Sequence, residues 1–407
     1  MTSYSSSLLK LLDERGYIHQ LTDAASLDAL ASKEMISAYI GFDATASSLH
    51  VGSLVQIMML RRLQQAGHRP IVLMGGGTTK VGDPSGKDES RQLLSEDKIA
   101  ENIAGIRRVF EHFLTFGNEL TDAVIVNNAD WLDTLEYIPF LREVGRHFTI
   151  NRMLTFDSVR LRLDREQPLT FLEFNYMILQ AYDFLELSRR VGCRAQFGGS
   201  DQWGNIVNGI ELGRRIDGTE LFGVTTPLIT TADGAKMGKT AQGAVWLDEK
   251  LLSPYDYWQF WRNTQDADVG RFLKLFTDLS LEDIGKLESL EGAEINQAKI
   301  VLATEATAML HGREAAEAAA RTAADTFGAG GLGEDLPTLK VGDGMSIPAA
   351  LTGLGFCASN GEAKRKIAEG AVRVDDQVVS DPALTIQISA DPVKISLGKK
   401  KHGLLVK

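Results

Sequence analysis

The chain has 407 residues, a formal net charge of −11 and two cysteines, Cys193 and Cys357. That length suits two or three domains with their own cores, and two distant cysteines exclude a disulfide framework and fit a reducing compartment, so a cytoplasmic protein is expected. No apolar run is long enough to span a bilayer, and "MTSYSSSLLKLLDERGYIHQ" has neither a signal-peptide core nor the acid-poor character of a transit peptide, so no membrane partner is expected.

The acidic total argues against nucleic acid as a partner, but charge is unevenly spread. Residues 360–407 carry nine Lys/Arg against six Asp/Glu. A local basic face matters more for phosphate contact than the whole-chain sum.

Roughly the first 230 residues alternate short apolar runs with longer helical patterns, the signature of a parallel α/β sheet. "MISAYIGF" (35–42) reads as a buried strand. "SLVQIMMLRRLQQAG" (53–67) reads as an amphipathic helix stopped by a left-handed Gly67. "RPIVLMGGG" (69–77), "AVIVNN" (123–128) and "CRAQFGG" (193–199) read as further strands running into polar turns. In such sheets ligands bind outside the carboxyl ends of the strands. After Trp246 the chain turns rich in Leu, Ala, Glu and Lys with helical periodicity, and "GAGGLGEDLPTLKVGDG" (328–344) reads as a linker. In the last stretch "SIPAALTGLGF" and "SNGEAKRKIAEG" read as helices, "AVRVDDQVV" and "PVKISLG" as strands. The expected domains are therefore 1–246, 247–327 and 345–407, with the linker at 328–344.

Two phosphate-loop patterns fail on context. "GAGGLG" (328–333) follows a helix rather than a strand, and "GGGTTKVGDPSGKD" (75–88) has the wrong glycine spacing and places Asp88 where Ser or Thr is needed. Two other elements carry more. In "SLHVGSL" (48–54) a helix begins on His50, Val51 and Gly52, where free N–H groups and the helix dipole favour an anion. Gly52 would let a nucleotide approach the backbone, His50 could donate to a phosphate, and Ser53 could cap the helix or act as a short donor. In "TTADGAKMGKT" (230–240) glycines at 234 and 238 flank Lys236, and Lys239 and Thr240 follow. A mobile loop there could bring two ammonium groups and a hydroxyl onto a polyphosphate. Alone, each element reads more readily as an ordinary capped helix or a solvated charged turn.

Together they resemble the two signatures of the class I aminoacyl-tRNA synthetases. "AYIGFDATASSLHVG", "GDPSGKDESR", "NNADW", "FLEFNYMILQAYDFL" and "CRAQFGGSDQWGN" occur in the order and spacing of the bacterial-type tyrosyl-tRNA synthetase family. The resemblance covers essentially the whole chain. It implies a Rossmann-like parallel-sheet catalytic domain, an α-helical anticodon-side domain and a small α+β RNA-binding domain of the αL type.

By that resemblance Tyr39 and Asp183 meet the hydroxyl of L-tyrosine, while Asp83, Tyr176 and Gln180 hold its ammonium end. Gln202 lies near the reacting carboxylate and α-phosphate. Gly41, Asp43, Thr45, His50, Gly52 and Ser53 belong to the ATP side, and Gly199 and Asp201 to the adenosine ribose. His50, Thr45, Lys236, Lys239 and Thr240 are the expected catalytic groups; Lys87 and Arg91 match a rim associated with tRNA or pyrophosphate. Mg²⁺ is expected to travel with ATP rather than in a dedicated protein site. Lys364, Arg365, Lys366 and Arg373, with Lys394, are expected to meet tRNA(Tyr) phosphates. The stretch 131–153 corresponds to a homodimer interface. Ser53 departs from the family pattern, which more often has a second histidine there. A tryptophan-specific synthetase, an RNA-binding or RNA-modifying protein with an αL module, and a small-molecule adenylyltransferase are the alternatives.

Overall fold

The computed structural model describes residues 4–84, 94–232, 234, 237–240, 243–328, 336–342, 344–388, 392–398 and 401–407. They form two compact units. The first comprises Met1–Lys239, Ala244–Leu252 and Thr264–Ala298; the second comprises Thr240–Gly243, Ser253–Asn263 and Lys299–Lys407.

The first unit is built on a six-stranded sheet of β1 (Gln20–Leu21), β2 (Ser37–Phe42), β3 (Arg69–Met74), β4 (Val124–Asn127), β5 (Cys193–Gly199) and β6 (Phe222–Thr226). The spatial order is β1-β6-β5-β2-β3-β4. Only the short β1 runs antiparallel to its neighbour, and all other pairings are parallel, as the apolar runs imply. Successive strands β2 and β3 lie side by side, while β5 joins the opposite edge of β2. That reversal is a topological switch point, where ligands bind in open α/β sheets.

Pairing geometry turns the switch point into a crevice. The β2–β3 ladder runs to Phe42 and Met74, and the β5–β6 ladder to Gly199 and Thr226. Between β2 and β5 the ladder stops at Tyr39 and Gln196. Beyond that pair the two central strands part, and their polar continuations face each other across a gap.

Helix Leu54–Gln65 follows β2 after a 3-10 turn, Val51–Ser53, and Gly67 has the expected positive φ of 85°. Leu54, Ile57, Met58, Leu60 and Leu63 are buried. The loop between β2 and this helix is held by helix Glu96–Glu111. Asn102 Nδ2 donates to the Ala44 carbonyl at 2.8 Å. A Cβ on Gly105 would stand 1.9 Å from the Ser47 carbonyl oxygen, so only glycine lets the helix lie this close to the loop.

The grouping of 264–298 differs from the expected division. Arg62, almost fully buried on helix Leu54–Gln65, and its neighbour Arg61 both pair with Asp278 at 2.5 Å, and Arg15 donates to the carbonyls of Lys274 and Thr277 at 3.0 Å each. Burial alone would raise the Asp278 carboxyl, but the two guanidinium groups hold it well below its usual range. These bonds tie helices Val269–Phe276 and Leu281–Glu288 to the sheet unit.

The long helical passage, which enters the second unit at Lys299, breaks at Gly312, φ +88°, into Ile295–His311 and Arg313–Gly328. The terminal stretch has the two expected helices, Ile347–Gly353 and Asn360–Ala368. "AVRVDDQVV" is a hairpin, Val372–Val374 with Gln377–Val379, turning through Asp375 and Asp376, both at positive φ. Val393–Leu397 and Lys401–Val406 extend its sheet, the last being a strand that sequence reading missed. Among the described residues no helix is long and apolar enough to cross a membrane.

Candidate active site

A cleft of about 480 Å³ opens at the switch point, lined by β2 and β5, the turns that continue them, and helices Leu54–Gln65 and Phe171–Val191. Tyr39, Gly41, Asp43, Thr45, His50, Gly52, Ser53, Asp83, Tyr176, Gln180, Asp183, Gly199, Asp201 and Gln202 all line it. Gly41 is the exposed position of β2. A Cβ there would meet only Leu73 at 3.8 Å, so the fold tolerates a side chain and the absent one keeps the cleft open.

At the inner end Tyr39 is fully buried against Phe184, ring centroids 5.3 Å apart, and its hydroxyl has no hydrogen-bond partner among the described residues. Asp183 is also buried. Its Oδ2 accepts from Asn128 Nδ2 at 2.9 Å and its Oδ1 from Trp131 Nε1 at 2.8 Å. Burial lifts the Asp183 carboxyl to about 7, with those two donors pulling the other way. Burial, then the Asp183 charge, pushes the Tyr39 phenol well above its usual range, so it stays a donor. Each carboxylate oxygen keeps a lone pair for another partner. A donor and an acceptor thus wait together in a desolvated corner.

Along the wall, Gln202 Nε2 donates to Asp83 Oδ2 at 3.1 Å, and Gln180 Nε2 donates to Gln202 Oε1 at 3.3 Å. Gln180 Oε1 is buried without a partner among the described residues. At the outer end Thr78 Oγ1 donates to Asp43 Oδ1 at 3.2 Å.

The helix start departs from expectation. Ser53 makes no side-chain cap bond. His50 takes that place for the 3-10 turn: its Nδ1 accepts from the Gly52 N–H at 2.9 Å. A neutral ring accepting at Nδ1 carries its proton on Nε2, which makes His50 a donor. Gly52 is also needed by the turn itself, because a Cβ would lie 2.6 Å from His50 Cε1 and 3.0 Å from the Met237 carbonyl.

The two sequence signatures meet in space. A Cβ on Gly238, φ +93°, would stand 2.5 Å from the Gly52 nitrogen and 3.0 Å from His50 Nδ1. Val51 N–H donates to the Val245 carbonyl at 2.8 Å, and Trp246 meets the His50 ring edge-on at 6.2 Å. Lys236, Lys87 and Arg91 lie outside the described residues, as do the side chains of Lys239 and Thr240.

Sequence reading assigned no role to Asn128 or Gln196 and placed Trp131 only in the 131–153 interface stretch, whereas it is buried on Asp183. A buried Asp183 demands donors, but nothing in the chain order says they come from a segment 52 to 55 positions away. Gln196 did leave a signal: an amide between the apolar Ala195 and Phe197 in the middle of a buried strand. It is buried beside Tyr39, lines the cleft, and its Oε1 has no partner among the described residues.

In the second unit Lys364, Arg365 and Arg373 are exposed, and Lys366 pairs with Glu369 at 2.8 Å. Lys394 does not fit the expected phosphate face. It is only 3% exposed, on a strand flanked by two others, and pairs with Asp376 at 3.3 Å, so its charge is spent within the fold.

A parallel sheet with a ligand crevice at its switch point, joined there by a His-x-Gly helix start and a second glycine-rich loop, matches a defined class. The family model of class I tRNA synthetases (W and Y) covers residues 31–328, and the chain belongs to that family. It is 68% identical over 408 residues to the tyrosine–tRNA ligase of Novosphingobium aromaticivorans, covering 100% of both chains. It is 66% identical over 406 residues to that of Zymomonas mobilis, covering 100% of this chain and 99% of that one. Among solved structures, a C-terminally truncated Aspergillus nidulans mitochondrial tyrosyl-tRNA synthetase superposes with a TM-score of 0.72 at 29% identity, covering 79% of this chain and 94% of that one. Within the family, the chain is of the bacterial tyrosyl type.

Proposed function

We propose that the chain is a tyrosine–tRNA ligase. It joins L-tyrosine to ATP as tyrosyl-adenylate with release of pyrophosphate, then transfers tyrosine to the 3′-terminal adenosine of tRNA(Tyr). The observation that carries this reading is the Tyr39 hydroxyl, buried beside Asp183 in the cleft and without a partner among the described residues. A phenol satisfies both groups. Phenylalanine leaves both unpaired, and an indole, which only donates, leaves Tyr39 unpaired. This enzyme family is itself the standing example of such discrimination.

With the phenol at the floor, the substrate's ammonium reaches Asp83, Tyr176 and Gln180, and its carboxylate faces outward past Gln202. The nucleotide occupies the outer half: ribose on Gly199 and Asp201, phosphates over Asp43, Thr45, His50, Gly52 and Ser53. One carboxylate oxygen attacks the α-phosphorus, the bond to the bridging oxygen breaks, and pyrophosphate leaves. The protein forms no covalent bond, so its contribution is positioning and charge stabilisation. His50 Nε2–H supports the phosphates. Lys236, Lys239 and Thr240 supply charge and a donor to the leaving pyrophosphate. Mg²⁺ arrives with ATP and neutralises phosphate charge.

Lys364, Arg365, Lys366 and Arg373 contact tRNA phosphates, and the protein works in the cytoplasm. A homodimer is supported by the exposed apolar residues Tyr137, Ile138, Ile150 and Leu154 in and beside the 131–153 stretch. ATP–pyrophosphate exchange measured with tyrosine, phenylalanine and tryptophan tests the reading. Exchange with tyrosine alone is expected; equal exchange with phenylalanine would sink it.

A further inference from the structure

A continuous chain of side-chain hydrogen bonds links the inner end of the cleft to its outer end. It passes through Thr78, in the short 3-10 turn Thr78–Lys80 after β3. Asp183, Asn128, Thr78 and Asp43 all line the cleft, and the first three are almost fully buried.

Counting donors and acceptors fixes the direction of the chain. Asn128 Oδ1 accepts from the Gly77 N–H at 2.8 Å, so Nδ2 is the end that faces Asp183. One Nδ2 hydrogen goes to Asp183 Oδ2 at 2.9 Å and the other to Thr78 Oγ1 at 3.0 Å. A hydroxyl that accepts from an amide has a single proton left to give. Thr78 gives it to Asp43 Oδ1 at 3.2 Å. Gly75 makes room for this last bond, because a Cβ there would stand 2.6 Å from Thr78 Oγ1 and 2.7 Å from Asp43 Oδ1. The next residue grips the same loop, with Thr79 Oγ1 accepting from the Ala44 N–H at 2.8 Å. A carboxylate at the edge of a polyphosphate site is repelled by the like charge and turns away unless a donor holds it.

We propose that Thr78 is a positioning residue for adenylate formation. Its hydroxyl, oriented by Asn128 from the tyrosine floor, holds the Asp43 carboxylate and with it the loop that meets ATP. This rests on the reading of the outer cleft as the ATP site.

The test uses the full-length enzyme, the near-isosteric Thr78→Val and the conservative Thr78→Ser. The Kd for tyrosine is titrated without ATP, and the KM for ATP and the adenylate rate come from rapid quench at saturating tyrosine. Thr78→Val should lower the rate over KM for ATP about 10-fold, the effect of one lost bond to a charged acceptor, while the Kd for tyrosine stays within about two-fold. Thr78→Ser, which keeps the hydroxyl, should stay within about two-fold of wild type in both. In an Asp43→Ala background Thr78→Val should cost less than about two-fold more, because its partner is already gone. A purely structural threonine gives another pattern: tyrosine and ATP parameters worsen together, or the losses from the two substitutions multiply. Either result overturns the assignment, as does a Thr78→Ser enzyme as impaired as Thr78→Val. If Thr78→Val does not fold, Thr78→Ala carries the same expectations, and failure of both to fold overturns the proposal as well. Failure of the underlying function has a separate sign: wild-type exchange that does not depend on tyrosine.

Discussion

At the inner end of the cleft, Tyr39 comes from β2, Asp183 from the middle of helix Phe171–Val191, and the donors Asn128 and Trp131 from the start of the short helix Ala129–Leu132 after β4. Each group is buried. At the outer end one continuous run, Asp43 to Gln56, supplies the loop, the His50 turn and the first helical turn, and Thr45 stands exposed. The inner end is a desolvated corner assembled from distant segments. The outer end is a local backbone motif facing solvent, completed by Gly238. A neutral side chain can be selected only where water is excluded and every polar group must find a partner. A polyphosphate is held by N–H groups and charge, which a short stretch of chain provides. Substitutions should therefore fail differently at the two ends.

The largest effect is expected for Asp183→Ala. It strands the Asn128 and Trp131 donors as well as the substrate hydroxyl, at about 1–3 kcal/mol for each buried group. The KM for tyrosine should rise at least about 100-fold with a lowered melting temperature. A change confined to ATP affinity would break the assignment of the inner end.

His50→Ala should lower the rate of adenylate formation about 100-fold while tyrosine affinity stays within about two-fold, as expected for one lost donor to developing charge. Rapid-quench measurement of the adenylate separates these quantities. Lys239→Ala should show the same split. Weakening of tyrosine binding equal to the loss of rate would show that the outer end is not specialised for phosphate.

The pH dependence of tyrosine binding sharpens the contrast. Burial raises the Asp183 carboxyl to about 7, so it is protonated below that pH and ionised above it. The ionised form is the charge-assisted acceptor for a phenol O–H. Tyrosine affinity, measured by titration without ATP, should therefore rise as pH increases through about 7. The slope should vanish in Asp183→Asn, and a flat wild-type profile would break the prediction.

In the second unit, Lys364→Glu with Arg365→Glu should raise the KM of charging for tRNA several-fold and steepen its recovery at low salt, with exchange unchanged. Lys394→Ala should act on stability instead, since it leaves Asp376 beside an emptied interior position. The smallest effect belongs to Ser53→Ala. Its hydroxyl caps nothing, and less than about a two-fold change in exchange is expected. Equal losses from Ser53→Ala and His50→Ala would overturn the ranking within that turn.

The alternation of apolar runs with helical periods determined the parallel sheet, because strands buried on both faces must be apolar throughout. The same logic made the His50–Gly52 turn and the Gly238 loop legible, since glycine and a short polar run are local requirements of backbone geometry. Tertiary structure decided where the β2–β5 ladder parts, that Gly238 closes on Gly52, and that His50 rather than Ser53 caps the turn. It also decided which donors hold Asp183, that the buried Gln196 acceptor is left without a donor among the described residues, and that Lys394 is spent on Asp376. Each of these depends on which distant segments share a dry space, and burial is a property of the packed chain rather than of any stretch of it.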